Sequence, residues 1–186
     1  MRLQFIRKYE AKTMNLMSKR KIFLKPGELC FGIPGTNIST VLGSCVAITL
    51  WHPVLSIGAM CHFVLPKRPQ GEPRDHSFDG RYGDEAIQLL TLGVQLHETE
   101  LSEYQVKVFG GADVCVRELD TAHRSIGQEN VAQAMNLLSQ RNMDVLVCHV
   151  GESGNRKIVL DLNTGDVWVK HTAQNGQVIP TTSGKI

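Results

Sequence analysis

The sequence predicts a single α+β domain in which mixed β-sheet layers carry two main helices. Its 186 residues are enough for one sizeable core. They are 42% hydrophobic and 20% charged, an ordinary balance for a globular protein. Short apolar runs bounded by Gly and Pro predict many strands, and two longer stretches have helical spacing. Many strands with two main helices fit the α+β class.

The elements can be placed in order along the chain. Strands are predicted in "VAITLWHP", "SIGAMCHFVLP" and "DVLVCHVG", the last of them buried. A strand, a Gly-Gly bend and a second strand are predicted in "YQVKVFGGADVCV", and a hairpin in "RKIVLDLNTGDVWVK". Apolar residues at helical spacing predict helices from Tyr82 to about Glu98 and in "SIGQENVAQAMNLLSQRN". The segment "PKRPQGEPRDHSFDG" between these groups predicts a surface loop.

Charge and composition divide the chain into three parts and exclude several functions. Residues 1–21 contain seven Lys/Arg and one Glu, which predicts a flexible basic arm before a domain over residues 22–172 and a polar tail over residues 173–186. No apolar run approaches the roughly 18 residues of a membrane span, so membrane insertion is not expected. The globular part lacks a basic face with interleaved aromatic residues, which argues against nucleic acid.

Cysteine usage predicts reduced thiols and no metal site. The start of the chain has no continuous apolar segment of the kind that directs secretion, so we expect a cytoplasmic protein. Five cysteines without a C-x-x-C pair suggest neither a disulfide framework nor a zinc ribbon. Alternation in "IGAMCHFVL" directs Cys61 and His62 to opposite faces of one strand. We interpret Cys61, Cys115, Cys148 and Cys30 as small core residues.

Cys45 differs from the other thiols because Gly43-Ser44 precede it and a strand follows it. Glycine permits a tight turn that leaves backbone N–H groups near the sulfur, as a nucleophile with an oxyanion hole requires. Two strands joined by a short turn would bring His62 close to Cys45. His52 lies in that turn and is interpreted as a surface residue. His149, on a buried strand, is interpreted as a hydrogen-bonded core residue.

These blocks together resemble the CheD family of chemoreceptor glutamine deamidases. The resemblance rests on "LGSCVAITLWHP" and "IGAMCHFVLP", and it covers about residues 22–170. Further matches are "FLKPGE" at 23–28, "RYGDEAI" at 81–87, "FGGADV" at 109–114, "IGQENV" at 126–131 and "GNRKIVLDLNTGDVWVK" at 154–170. It implies a fold similar to the catalytic domain of cytotoxic necrotizing factor toxins.

The resemblance also implies an activity and its partners. Family members hydrolyse glutamine side chains on methyl-accepting chemotaxis receptors to glutamate and ammonia, without a cofactor. Two alternatives remain open: a receptor glutamyl methylesterase using the same site, and a non-catalytic adaptor that binds the receptor or a CheC-type phosphatase. We expect a monomer whose partners are the receptors, and the resemblance adds such a phosphatase as a further candidate partner.

The implied catalytic residues are Cys45, His62 and Ser39. An imidazolium beside Cys45 would lower the thiol pKa from about 8.5 to roughly 3.5–7.5, which predicts a thiolate. The family places a threonine six positions before the cysteine, and Ser39 occupies that position here. Counting along an extended strand, Ser39 shares the parity of Cys45 while Thr40 faces away. We therefore predict that Ser39 orients the imidazole. A bulge would shift this role to Thr40.

Overall fold

The computed structural model describes residues 20–73, 77–113, 124–180 and 184–186. The strands in these ranges are β1 Arg20–Phe23, β2 Leu29–Gly32, β3 Thr36–Leu42, β4 Val46–His52, β5 Ile57–Phe63, β6 Gln105–Gly110, β7 Val145–Val150, β8 Asn155–Asp161, β9 Val167–Thr172 and β10 Gly184–Lys185. The α-helices are α1 Gly83–Leu96 and α2 Ile126–Ser139, and a short 3-10 helix covers Leu101–Glu103.

The strands form two five-stranded sheets. The outer sheet has the order β1-β3-β8-β9-β10, and the central sheet has the order β2-β5-β4-β6-β7. β1 pairs with β3 in parallel and β6 pairs with β7 in parallel, whereas the remaining pairs are antiparallel. Both sheets are therefore mixed. The predicted α+β class, with mixed sheet layers and two main helices, is confirmed.

The central sheet lies between the outer sheet and the two helices. One apolar cluster fills the space between the sheets and includes Ile38, Leu42, Phe109, Ile158 and Leu160. A second fills the space between the central sheet and the helices and includes Ile48, Leu50, Leu90, Val108 and Leu138. Burial on both faces explains why β4 is an almost continuous apolar run, whereas the strand β3 of the outer sheet alternates.

The predicted surface loop after β5 is anchored to α1 by a buried ion pair. Nε and Nη2 of Arg68 donate to the two carboxylate oxygens of Glu85, at 2.9 and 3.0 Å. The N–H of Asp79 also donates to Glu85, at 2.8 Å. The side chain of Glu85 is only 2% exposed, so these bonds supply the partners that a buried carboxylate needs.

Two predictions about single residues are wrong. Cys148, expected in the core, is exposed because β7 is the edge strand of the central sheet. His52, expected on the surface, is only 5% exposed, and its Nδ1 accepts hydrogen bonds from the N–H groups of Val54 and Leu55. Cys30 and Cys61 are buried as predicted.

Both ends of the described chain join the outer sheet. Residues 1–19 of the predicted basic arm lie outside the described residues, while Arg20 and Lys21 belong to β1. The predicted tail contains β10, whose Gly184 and Lys185 pair with Val169 and Trp168 of β9. Cys115 and the strand predicted around it also lie outside the described residues.

Candidate active site

Cys45 lies where the chain crosses from the outer sheet to the central sheet. β3 ends at Leu42 and β4 begins at Val46, and the bend at Gly43-Ser44 joins them. Because β3 and β4 belong to different sheets, this bend is the crossing point of the two layers. Cys45 is half-buried and packs against the apolar cluster between the sheets.

A glycine-rich segment after β6 fixes the backbone of this bend. The N–H of Gly111 donates to the carbonyl of Cys45 at 2.8 Å, and the N–H of Ala112 donates to the carbonyl of Gly43 at 2.8 Å. Gly110 has φ +109°, and a Cβ on it would lie 2.2 Å from the carbonyl oxygen of Cys45. Only glycine tolerates both the conformation and the close approach.

His62 lies on the same face of the central sheet as Cys45. In the β4–β5 register His62 is opposite Ala47, two residues after Cys45. Residues two apart on a strand point to the same face, and diagonal cross-strand neighbours have Cα atoms roughly 7–8 Å apart. His62 is 2% exposed. This register therefore puts His62 diagonally across from the position of Cys45, on the side of the central sheet that faces the outer sheet.

Thr40 of β3 fixes the orientation of His62. The Thr40 hydroxyl donates to the carbonyl of Leu24 at 2.9 Å, and this bond uses its single hydrogen. Its 2.7 Å contact with Nδ1 of His62 therefore has the imidazole N–H as donor. The proton is then on Nδ1, and Nε2 carries a lone pair. Nε2 is buried and has no hydrogen-bond partner among the described residues.

The predicted contact between Ser39 and His62 is wrong by one position. The Ser39 hydroxyl donates to the carbonyl of Ile22 at 3.1 Å. Ser39 is partly exposed, while Thr40 is completely buried. Gly43-Ser44 form a bend, and side-chain alternation does not continue through a bend, so strand parity relative to Cys45 gives the wrong residue of β3.

Asn130, which the sequence reasoning did not single out as a functional residue, bridges the two segments that carry Cys45 and His62. Its Nδ2 donates to the carbonyl of Ser44 at 3.0 Å and to the carbonyl of Val64 at 2.8 Å. Asn130 is completely buried on α2, and its Oδ1 has no hydrogen-bond partner among the described residues. Its only signal in the sequence was its position in "IGQENV".

The buried side chain of Arg156 is linked to the glycine-rich segment through Gly151. Nε of the fully buried Arg156 donates to Nδ1 of His149 at 2.9 Å, so His149 is hydrogen-bonded as predicted, but it is half-buried on the edge strand β7 and is not a core residue. Nη2 of Arg156 donates to the carbonyl of Gly151 at 2.7 Å. The N–H of Gly151 in turn donates to the carbonyl of Gly110 at 3.0 Å.

Burial favours the neutral forms of both Cys45 and His62. It raises the pKa of the Cys45 thiol above its ordinary value, and a hydrogen bond from the residue's own backbone opposes this only in part. It lowers the pKa of His62 to about 4, although the Leu24 carbonyl and the Glu28 carboxylate act in the opposite direction. Both shifts favour a thiol and a neutral imidazole at neutral pH, whereas the sequence predicted a thiolate.

The described residues offer hydrogen-bond donors but no metal-binding cluster. No described oxygen accepts a hydrogen bond from the backbone N–H of Ser44 or Cys45. No group of three or more His, Cys, Asp or Glu residues in the described ranges could hold a metal ion. None of the helices in these ranges is long and apolar enough to cross a membrane.

Comparison with known proteins identifies the family. The family model described as CheD chemotactic sensory transduction matches residues 64–171, which is more than half of the chain. The chain belongs to the CheD family. The chain is 44% identical over 153 residues to a probable chemoreceptor glutamine deamidase CheD 3 of Dechloromonas aromatica, covering 80% of this chain and 86% of that protein.

Other members of the CheD family have a similar level of sequence identity to this chain. A probable chemoreceptor glutamine deamidase CheD of Pseudomonas syringae pv. syringae is 42% identical over 152 residues, which cover 81% of this chain and 84% of that protein. Among solved structures, the hypothetical protein YfiH of Bacillus licheniformis aligns with 73% of this chain and 60% of its own, with a TM-score of 0.42 and 10% identity. That likeness is too distant to inform fold or activity.

Proposed function

We propose that this CheD protein hydrolyses the side-chain amide of glutamines on chemoreceptors, giving glutamate and ammonia. The names of its relatives, which describe probable chemoreceptor glutamine deamidases, support the substrate. The geometry of Cys45 and His62 supports the chemistry. The observation that carries the proposal is the buried Nε2 of His62, which lacks a hydrogen-bond partner among the described residues and shares a sheet face with the Cys45 thiol.

In the first step Cys45 acts as the nucleophile and His62 as the general base. Nε2 accepts the thiol proton while Sγ bonds to the amide carbon Cδ of the glutamine. A neutral imidazole is required for this role, and the lowered pKa of His62 keeps it neutral above about pH 4. Thr40 holds Nδ1, so that the imidazolium formed in this step retains its orientation.

In the second half of the reaction the same imidazole returns the proton. The tetrahedral intermediate collapses as the C–N bond breaks, and Nε2–H protonates the leaving nitrogen to give ammonia. Water then attacks the thioester, with Nε2 accepting its proton, and the C–S bond breaks to release glutamate and restore the thiol. The N–H groups of Ser44 and Cys45 stabilise the oxyanion in both halves, and one such donor contributes on the order of 10²–10³ in rate.

The experiment uses receptor fragments carrying either glutamine or its glutamate methyl ester. Mass spectrometry follows conversion of amide to acid, and coupled assays follow ammonia and methanol. We expect ammonia from wild type and from Cys61→Ala, whose thiol lies on the other side of the central sheet. Cys45→Ala should bind the fragment and release none. Deamidation at the wild-type rate by Cys45→Ala would overturn the mechanism, and methanol as the main product would favour the methylesterase.

We further propose, on the family resemblance, that the chain acts in the cytoplasm as a monomer and that a CheC-type phosphatase is a regulatory partner. Sedimentation of the purified chain tests the oligomeric state. Co-purification of the chain with such a phosphatase tests whether the two proteins bind each other.

A further inference from the structure

The outer sheet has one face that no described element covers. On this face two exposed aromatic side chains lie in one row across the sheet, because Phe23 pairs with Ser39, Ser39 with Val159, and Val159 with Trp168. Phe23 is 56% exposed and Trp168 is 54% exposed. Val41 of the neighbouring row is 44% exposed. Contiguous exposed apolar surface of this kind is uncommon on monomers and typical of interaction sites.

Lysines surround the apolar row. In the row beside it Val41 pairs with Lys157, and Lys157 pairs with Lys170. Lys185 pairs with Trp168 at one end of the row and forms an ion pair with Asp166 at 2.9 Å. Lys21 lies two residues before Phe23 on β1, at the other end of the row. The outward positions of the five strands contain four lysines and one acidic residue: Lys21, Lys157, Lys170, Lys185 and Asp161. We call this surface the aromatic–lysine face.

The aromatic–lysine face borders the candidate active site. Val41 points outward from β3, and its neighbour Thr40 points inward to His62. Two residues beyond Val41 the chain enters the Gly43-Ser44 bend that carries Cys45. A protein lying across this face would therefore meet the bend at its edge.

We propose that the aromatic–lysine face docks an acidic surface of the protein substrate, with Trp168 and Phe23 as apolar anchors. This inference rests on the proposed function, because it names the substrate as the occupant. Buried Trp residues are frequent energetic centres of interfaces, and lysines around them select an acidic partner. A second copy of the chain would bring Lys21, Lys157 and Lys170 face to face with the same three lysines. Residues 1–19 are also a poor occupant, since they carry five Lys/Arg and one Glu.

The test compares an intact receptor cytoplasmic fragment with a short glutamine peptide from the same receptor. The variants are Trp168→Ser and the double charge reversal Lys157→Glu/Lys170→Glu. The matched control is Leu96→Ser, which removes an apolar residue that is 70% exposed on α1. We expect both face variants to raise KM for the intact fragment at least about 10-fold, whereas kcat/KM for the peptide stays at the wild-type level. The control should change neither.

Binding measurements, and their dependence on salt, distinguish the docking proposal from the proposed function. Binding of the intact fragment to Cys45→Ala protein, measured by calorimetry, should weaken with added salt, and less steeply once Lys157 and Lys170 are reversed. Unchanged fragment binding by Trp168→Ser and by the charge-reversal variant overturns the docking proposal even when deamidation is normal. Conversely, fragment binding that depends on the face without any ammonia release would refute the proposed function alone.

Two further outcomes would overturn the docking proposal by identifying another occupant. A wild-type dimer that Trp168→Ser converts to a monomer would assign the face to a second copy. A shift of Trp168 fluorescence to longer wavelength on deletion of residues 1–19, with no loss of fragment binding in Trp168→Ser, would assign it to the chain's own N-terminal segment.

Discussion

One hydroxyl group decides which nitrogen of His62 is available to the Cys45 thiol. Because the Thr40 hydroxyl donates to the carbonyl of Leu24, it can only accept from Nδ1 of the imidazole. A backbone carbonyl thus sets the tautomer through one threonine, in the way that a third group orients the base in other cysteine and serine hydrolases. Ser39, the residue that the sequence favoured, donates to Ile22 and does not take part in this chain of bonds.

Substitutions at Thr40 and at Ser39 should therefore have very different effects on kcat. Thr40→Ala should lower kcat by about 10²-fold, because a misplaced base loses the alignment that proton transfer needs, and KM should change little. Thr40→Ser keeps the hydroxyl and should stay active. Steady-state kinetics on the receptor fragment, with Ser39→Ala as the control, gives the comparison. If Ser39→Ala were the damaging change and Thr40→Ala harmless, the orientation of His62 described here would be wrong.

The thiol of Cys45 should be unreactive in the free protein at neutral pH. Burial raises its pKa, and His62 with a pKa of about 4 is uncharged there and cannot stabilise a thiolate. We expect iodoacetamide capture of Cys45, followed by site-resolved mass spectrometry, to be slow at pH 6–7 and to increase steadily above pH 9. His62→Ala should not slow the capture at pH 6. A plateau of fast capture near pH 6 that depends on His62 would instead demonstrate a preformed thiolate–imidazolium pair.

Two kinds of signal in the sequence point to the candidate site: alternation along a regular strand and the residues that flank a cysteine. His62 was directed to the correct face because it lies inside an alternating strand, and Cys45 was distinguished by its flanking Gly43-Ser44. The choice between Ser39 and Thr40 failed because it required counting through a bend. Asn130 could not be predicted from its own segment, since its partners lie 66 and 86 positions away in the chain.

At the scale of elements, α2 is the part that holds the two catalytic segments at a fixed separation. Its N-terminus is capped by Ser125, and Gly127 lets the helix pack against the glycine-rich segment, because a Cβ there would lie 2.6 Å from the carbonyls of Gly111 and Ala112. One turn later Asn130 binds the carbonyls beside Cys45 and His62. The helix thus connects the outer-to-central crossing of the chain with the end of β5.

Replacing Asn130 should impair turnover more than it impairs substrate binding. Asn130→Ala leaves two half-buried carbonyls without a donor, which should cost about 1–3 kcal/mol of stability. At temperatures where the variant is folded, we expect kcat to fall by about 10²-fold and KM to stay unchanged. Asn136→Ala, an exposed change on the same helix, is the control. Circular dichroism confirms folding before the kinetics. A folded Asn130→Ala protein with wild-type kcat would show that the bridge is structural only.

Strand order was the element-level feature that the sequence could not supply. "DVLVCHVG" is apolar enough to predict a buried strand, but β7 forms one edge of the central sheet and exposes Cys148 and Leu146. Which strand lies at an edge depends on pairings between distant segments, such as β6 with β7 around the whole of α2. Local periodicity indicates whether a segment is a helix or a strand, but it does not indicate which strands lie beside it.

At the scale of the whole molecule, the three-layer arrangement buries His62, a titratable group that the proposed chemistry needs. Burial of this imidazole makes the fold less stable at acidic pH. His62 has a pKa of about 4 in the fold, against 6.5 for an ordinary histidine. Between these two values the unfolded chain binds one more proton at this residue than the folded chain does. The free energy of unfolding must therefore fall as the pH is lowered through this window.

We predict that His62 alone makes the wild-type protein lose about 3 kcal/mol of stability between pH 7 and pH 4, since each unit of pKa difference corresponds to about 1.4 kcal/mol. His62→Asn removes the titration and can still donate to Thr40, so its stability should depend less on pH by that amount, whatever its stability at pH 7. Urea unfolding of both proteins at intervals from pH 7 to pH 4 measures the difference. Parallel pH profiles for the two proteins would mean that His62 titrates normally in the fold, and the neutral-base mechanism would lose its main electrostatic support.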